Sequence, residues 1–130
     1  MKFLSLQHIA IEDPGTFKDF LLADGHTLTT IQLDEGDTIP SNLNEYDAML
    51  CMGGPMDTFM EKEYPWLVPE KKAIGEYVLN LKKPFLGFCL GCQLLGEVLG
   101  GRVAPSEPPE IGVLDINIMK KEKKDSVFSF

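Results

Sequence analysis

Histidine and cysteine are scarce in this chain, with two and three residues among 130. The histidines, His8 and His26, both precede every cysteine, and none follows Cys89. Three cysteines, Cys51, Cys89 and Cys92, are too few for a disulfide framework and fit reduced thiols in an intracellular chain. One C-x-x-C pair with no second pair and no nearby histidine cannot complete the four ligands of a structural zinc site, so no metal is expected. Basic residues are outnumbered, twelve against twenty acidic, for a net charge of −8. A binder of the phosphate backbone needs a basic face, so nucleic acid is not an expected partner. No apolar run approaches the roughly 20 residues that cross a bilayer, and the opening Met1-Lys2-Phe3-Leu4-Ser5-Leu6-Gln7-His8 is too polar for a secretory signal. Neither a membrane nor an export route is indicated, and a cytoplasmic location is expected. Low-complexity tracts and internal repeats are also missing.

What is present is an ordinary globular composition, 44% hydrophobic and 25% charged. A chain of this length fits one domain, residues 1–130, and buries roughly two thirds of its unfolded surface on folding. Residues 3–11 are mostly apolar and read as a buried strand, broken by Asp13-Pro14-Gly15. Residues 16–23 place Phe17, Phe20, Leu21 and Leu22 at helical spacing, with Gly25 positioned to stop the helix. Residues 26–33 read as a second strand and residues 34–45 as a polar loop. Residues 46–52 form a third strand feeding Gly53-Gly54-Pro55. A helix follows over residues 67–81, with Ile74, Val78 and Leu81 on one face. Residues 84–88 make a fourth strand, residues 91–99 a helix closed by Gly100-Gly101, and residues 113–119 a further strand before the charged run 120–125. Alternating strands and helices predict an α/β domain: a parallel sheet with helices on both faces. In such sheets the functional loops lie beyond the C-terminal ends of the strands, here after residues 11, 52 and 88.

The most informative stretch is the fourth strand and its exit. Cys89 has glycines at −2 and +2, Gly87 and Gly91, and a helix begins at once. This is the sulfur form of a nucleophile elbow, a turn so tight that its neighbours must lack side chains. It puts the sulfur at a helix N-terminus, where the dipole contributes up to ~2 kcal/mol toward a thiolate. Full activation needs a base or imidazolium partner as well. The Gly53-Gly54 pair presents backbone N–H groups without obstruction. With the N–H of Leu90 it can form an oxyanion hole for a tetrahedral intermediate.

Gly87-Phe88-Cys89-Leu90-Gly91-Cys92-Gln93 resembles the G-[aromatic]-C-x-G-x-Q signature of class I glutamine amidotransferases, and Met52-Gly53-Gly54-Pro55-Met56 resembles their G-G-P loop. Gln7-His8, Pro14-Gly15, Gly100-Gly101-Arg102-Val103 and Glu110-Ile111-Gly112 are similar to stand-alone members related to the amidotransferase domain of GMP synthase, so that the likeness runs over about residues 5–118. It implies an open, mostly parallel, flavodoxin-like sheet. It implies that Cys89 attacks a glutamine or γ-glutamyl amide, forms a thioester and releases ammonia, with no cofactor. Gly53, Gly54 and Leu90 would hold the oxyanion, and Gln93 would help position the substrate. Family members carry a His-x-Glu pair further along the chain, and its lack here leads to the expectation of an N-terminal portion of the domain, incomplete at its C-terminus and close to inactive alone. An ammonia-accepting synthetase is the partner the resemblance allows.

Two other readings stand beside this one. The elbow could persist in a non-catalytic α/β binding module, or Cys89 and Cys92 could form a thiol–disulfide redox pair. The flanking glycines and Gln93 are unnecessary for redox chemistry, and the order of elements is not that of thioredoxin. His8 is expected to lie behind the third strand, out of hydrogen-bond reach of the Cys89 sulfur, and His26 to sit at the opposite edge.

Overall fold

A computed structural model describes residues 1–108 and 111–115. Strands β1 (Lys2–Gln7), β2 (Thr27–Gln32), β3 (Ala48–Cys51) and β4 (Phe85–Gly87) pair in parallel, in the order β2-β1-β3-β4. Helix α1 (Gly15–Ala23) joins β1 to β2, α2 (Leu67–Gly75) lies between β3 and β4, and α3 (Leu90–Val98) follows β4. The sheet is therefore the parallel one with helices on both faces that the alternation predicts, in the flavodoxin-like form that the family resemblance implies.

The two central strands show why both faces must be covered. Side chains alternate along a strand, so Leu4 and Leu6 of β1 share a face with Met49 and Cys51 of β3. That face packs under Leu67, Ile74 and Tyr77 of the α2 segment and Leu90 and Leu94 of α3, all fully buried. Phe3, Ala48, Leu50 and Met52 point the other way and meet Leu21 of α1. Each fully buried Leu, Ile or Met contributes roughly 1.5–3 kcal/mol, so the α2–α3 side carries most of the stability.

Several elements depart from the sequence expectation. β1 ends at Gln7 because the Gln7 side-chain amide turns back onto the carbonyls of Ile9 and Ala10, at 3.1 and 3.3 Å. Ile11 is left exposed. Only Leu21 of α1 is buried; Phe20 and Leu22 face outward, and Phe17 leans against Phe88 with ring centroids 6.4 Å apart. A short helix crossing one sheet face alone can dock a single residue of such a cluster. Gly25 ends α1 as expected, in a left-handed conformation, with the His26 and Gly25 N–H groups donating to the carbonyls of Leu21 and Leu22. The second long helix changes to a π-helical turn over Glu76–Asn80, closed by a bond from Leu81 N–H to the Glu76 carbonyl. The expected strand 113–119 is not formed at Val113, Leu114 or Asp115, which are irregular and exposed. Residues 116–119, the run 120–125 and Glu110 lie outside the described residues.

Candidate active site

The elbow takes its shape from β4 and α3 together. Cys89 is the N-cap of α3 and has φ 48° and ψ −106°, a conformation that L residues rarely adopt. The strain is held in place by stitches to the end of β3: Phe88 N–H donates to the Cys51 carbonyl at 2.9 Å, and Gly91 N–H to the Met52 carbonyl at 3.1 Å. The bracketing glycines are a steric requirement. A Cβ on Gly87 would meet the Gly91 carbonyl carbon at 2.5 Å and the Cys92 nitrogen at 2.6 Å, and one on Gly91 would run into the Cys51 carbonyl. Cys89 is exposed, and so are Cys92 and Gln93 one turn into the helix.

Cys89 opens into a cleft of about 400 Å³ that is also walled by Gly53, Phe88, Phe17, Glu12 and Asp13. The glycine loop after β3 passes directly beside the sulfur-bearing residue: a Cβ on Gly53 would stand 3.5 Å from Cys89 Cβ. Gly54 is wedged between His8 and Leu90, whose side chains would crowd an added Cβ at 3.1 and 3.2 Å. The Leu90 N–H is the first of α3, one of the N–H groups that no helical carbonyl can accept. The fold thus brings Gly53, Gly54 and Leu90 close to Cys89; Gly53 walls the cleft with Cys89, while Gly54, Leu90 and Gln93 are not among the residues that line it. Glu12 and Asp13 carry no motif that singles them out in sequence, although the loop after the first strand is expected on this edge.

Neither histidine is placed to take a proton from Cys89. His26 starts at the far end of β2, beside the terminal amine and stacked on Phe3. His8 is fully buried, and both its nitrogens are engaged, Nδ1 with the Gly53 carbonyl and Nε2 with Glu70 Oε1, each at 2.8 Å. Trp66 stacks on its ring at 5.3 Å. Cys51 donates its thiol to the same Glu70 oxygen at 3.3 Å. A carbonyl only accepts, so His8 Nδ1 carries a proton, and one further proton is shared between Nε2 and the carboxylate. Burial, the largest influence, pulls the His8 pKa down, but the hydrogen bond and charge of Glu70, with help from the Gly53 carbonyl and Glu12, hold it above its ordinary value. Burial and the Glu70 charge push the Cys51 thiol well up, so it stays protonated.

The buried network does leave a signal in the sequence. Glu70 falls in phase with Leu67, Ile74 and Tyr77 on the apolar face of its helix, and a carboxylate there needs a partner. His8, Cys51 and Glu70 place donor atoms within 4.8 Å of one another. They are one ligand short of a closed tetrahedral site and are already spent on hydrogen bonds to each other, so the set fits a proton-sharing chain better than a metal.

A cysteine on a strained strand-to-helix turn, beside a glycine loop on a parallel α/β sheet, narrows the class. Residues 18–129 match the family model for glutamine amidotransferase class-I, and the chain belongs to that family. It is 30% identical over 114 residues to the putative glutamine amidotransferase-like protein YfeJ of Salmonella typhimurium, covering 85% of this chain and 47% of that protein. It is 41% identical over 76 residues to one subunit of the glutamine-hydrolyzing GMP synthase of Sulfurisphaera tokodaii, 58% of this chain and 37% of that one. A glutamine amidotransferase structure from Methylobacillus flagellatus superposes with a TM-score of 0.78 at 32% identity, over 85% of this chain and 43% of that one. The chain spans about half the length, or less, of these relatives.

Proposed function

We propose that this chain carries the nucleophile half of a glutaminase site. The Cys89 thiolate adds to the side-chain amide carbon of glutamine, or of a γ-glutamyl amide. The tetrahedral oxyanion is held by the N–H groups of Gly54 and Leu90, with Gly53 beside the sulfur. The nitrogen takes up the proton given up by the thiol as the intermediate collapses, so that it leaves as ammonia, and the γ-glutamyl thioester that remains is hydrolysed by water. The observation that carries this reading is the strained Cys89 backbone, held open to a cleft with the glycine loop directly beside it. Glu12 and Asp13 give that cleft an acidic rim suited to the α-ammonium group of the substrate, and Gln93, exposed one turn into α3, is assigned a part in positioning the substrate.

The proton must leave the thiol and reach the departing nitrogen, and neither His8 nor His26 can carry it. The His-x-Glu pair implied by the family resemblance is the expected carrier, and without it the 130-residue chain turns over glutamine at a residual rate only. Ammonia would pass to a synthetase acceptor, a role consistent with the GMP synthase subunits to which the chain is similar. A cytoplasmic setting suits that role, and among the described residues no helix is long and apolar enough to cross a membrane.

The test is site-selective labelling with a glutamine-derived chloroketone, followed by peptide mapping. Cys89 should label several-fold faster than Cys92, which is exposed as well, and be protected by glutamine. Equal labelling of the two, unaffected by glutamine, would leave only the binding-module and redox readings.

A further inference from the structure

The peptide joining Gly53 to Gly54 lies between two residues without side chains, so its plane is the easiest in the loop to rotate. That plane matters, because a trans peptide is flat and its C=O and N–H point in opposite directions. Fixing the Gly53 oxygen fixes where the Gly54 N–H is aimed. The oxygen is held by His8 Nδ1 at 2.8 Å, and His8 is fully buried and is not one of the residues that wall the cleft. The ring that holds it cannot swing: Glu70 anchors Nε2 at 2.8 Å, Trp66 stacks over it at an interplanar angle of 15°, and nothing of it reaches solvent.

From this arrangement we infer that His8 is a positioning residue for the oxyanion hole, gripping the Gly53 carbonyl so that the Gly54 N–H faces the Cys89 cleft. The inference rests on the reading of Gly54 as an oxyanion donor. It accounts for an otherwise costly choice, since a buried ionisable pair is a weak source of stability and apolar residues of similar volume do as well or better. Glu70 and Trp66 act at one further remove, by fixing the ring. Through Glu70 the aim of the loop is tied to helix α2, and through the Cys51 thiol to β3.

The test compares two reagents on the full chain in a Cys92→Ser background. A glutamine-derived chloroketone reacts by addition of the Cys89 thiolate to the ketone. An alkoxide forms and then collapses as the sulfur–carbon bond replaces carbon–chlorine and chloride departs. Iodoacetamide is displaced directly, iodide leaving with no oxyanion formed. Both draw on the same thiolate, so the ratio of their rates isolates the oxyanion hole. Loss of an oxyanion donor costs about 10²–10³ in rate, and misaiming one should cost a good part of that. His8→Leu is expected to lower the ratio about tenfold or more. His8→Asn, whose amide N–H stands where Nδ1 stood, should recover most of it, while His8→Gln, whose N–H stands where Nε2 stood, should not. If His8→Leu does not fold, the Asn and Gln pair carries the comparison. Equal ratios in Asn and Gln, or a ratio unchanged in Leu, overturn the positioning role. A wild-type ratio no higher than that of glutathione overturns the oxyanion reading of Gly54 itself, and the positioning role with it.

Discussion

Gly87→Ala is the sharpest perturbation of the elbow. The new methyl would meet three backbone atoms, the carbonyl carbon and oxygen of Gly91 and the nitrogen of Cys92, at 2.5–2.6 Å. Ordinary contact begins at 3.4 Å, so the first turn of α3 must retreat by about 0.8 Å. No flexible side chain can absorb that, because every atom met is main chain. The retreat strains the two bonds that hold Phe88 and Gly91 to β3. Overpacking of this kind costs about 1–3 kcal/mol, which in a domain of this size lowers Tm by roughly 4–11 °C. A displacement near 1 Å at the reacting atom also costs on the order of 10²-fold in rate. Urea and thermal unfolding read the first effect, and chloroketone labelling of Cys89 the second. Gly96→Ala is the control of opposite sign: it lies in the same helix with no atom within 4 Å of an added Cβ, and alanine there should stabilise by about 0.5–1 kcal/mol. A Gly87→Ala protein within about 0.5 kcal/mol of the wild type would show that the elbow has room the geometry denies.

Two further outcomes follow from the buried network. Native protein should titrate two thiols rapidly with an aromatic disulfide reagent, Cys89 and Cys92, and the third, Cys51, only in denaturant; three fast thiols would contradict its burial and raised pKa. Because the His8 pKa is raised in the folded state, the stability it brings is fully present below the ordinary value of 6.5 and is lost as pH rises through the folded pKa. The stability gap between wild type and Glu70→Gln, from urea unfolding at about pH 6 and about pH 8.5, should therefore narrow at the higher pH, and a constant or widening gap would refute the proton sharing.

The parts of the fold legible in sequence are those where local pattern and global position agree. Strand β3 is apolar on both faces, and β1 carries Leu4 and Leu6 on one face and Phe3 on the other, because both faces of the sheet are covered; Gly25 and Gly100 stop their helices because each adopts a left-handed conformation there. The elbow can be read from three residues, since Gly87 and Gly91 are demanded by contacts that any such turn makes. What escapes reading depends on partners distant in the chain. The exposure of Phe20 and Leu22 follows from how little of the sheet α1 can reach, and helical spacing does not carry that. The engagement of His8 by Glu70 spans 62 positions. Position in the first strand predicts that His8 is unable to reach Cys89, but not what it grips instead. The early end of β1 comes from a single side chain, Gln7, competing with the strand for carbonyls.

The bonds from Phe88 and Gly91 to the end of β3 bear on how such a site can be inherited. The sulfur-bearing residue and the glycine loop are separated in sequence, yet the ring of covalent and hydrogen bonds that joins them runs only through residues 51–54 and 87–91. The spacing between the Cys89 residue and the loop is set inside that ring. Exposed positions of the surrounding helices and loops can then drift in composition without detuning it, and substitutions that matter should concentrate within the ring and in the His8–Glu70 pair that grips its loop. A site of this kind can pass between partners and substrates as a small, self-gauged cassette while the rest of the domain changes around it.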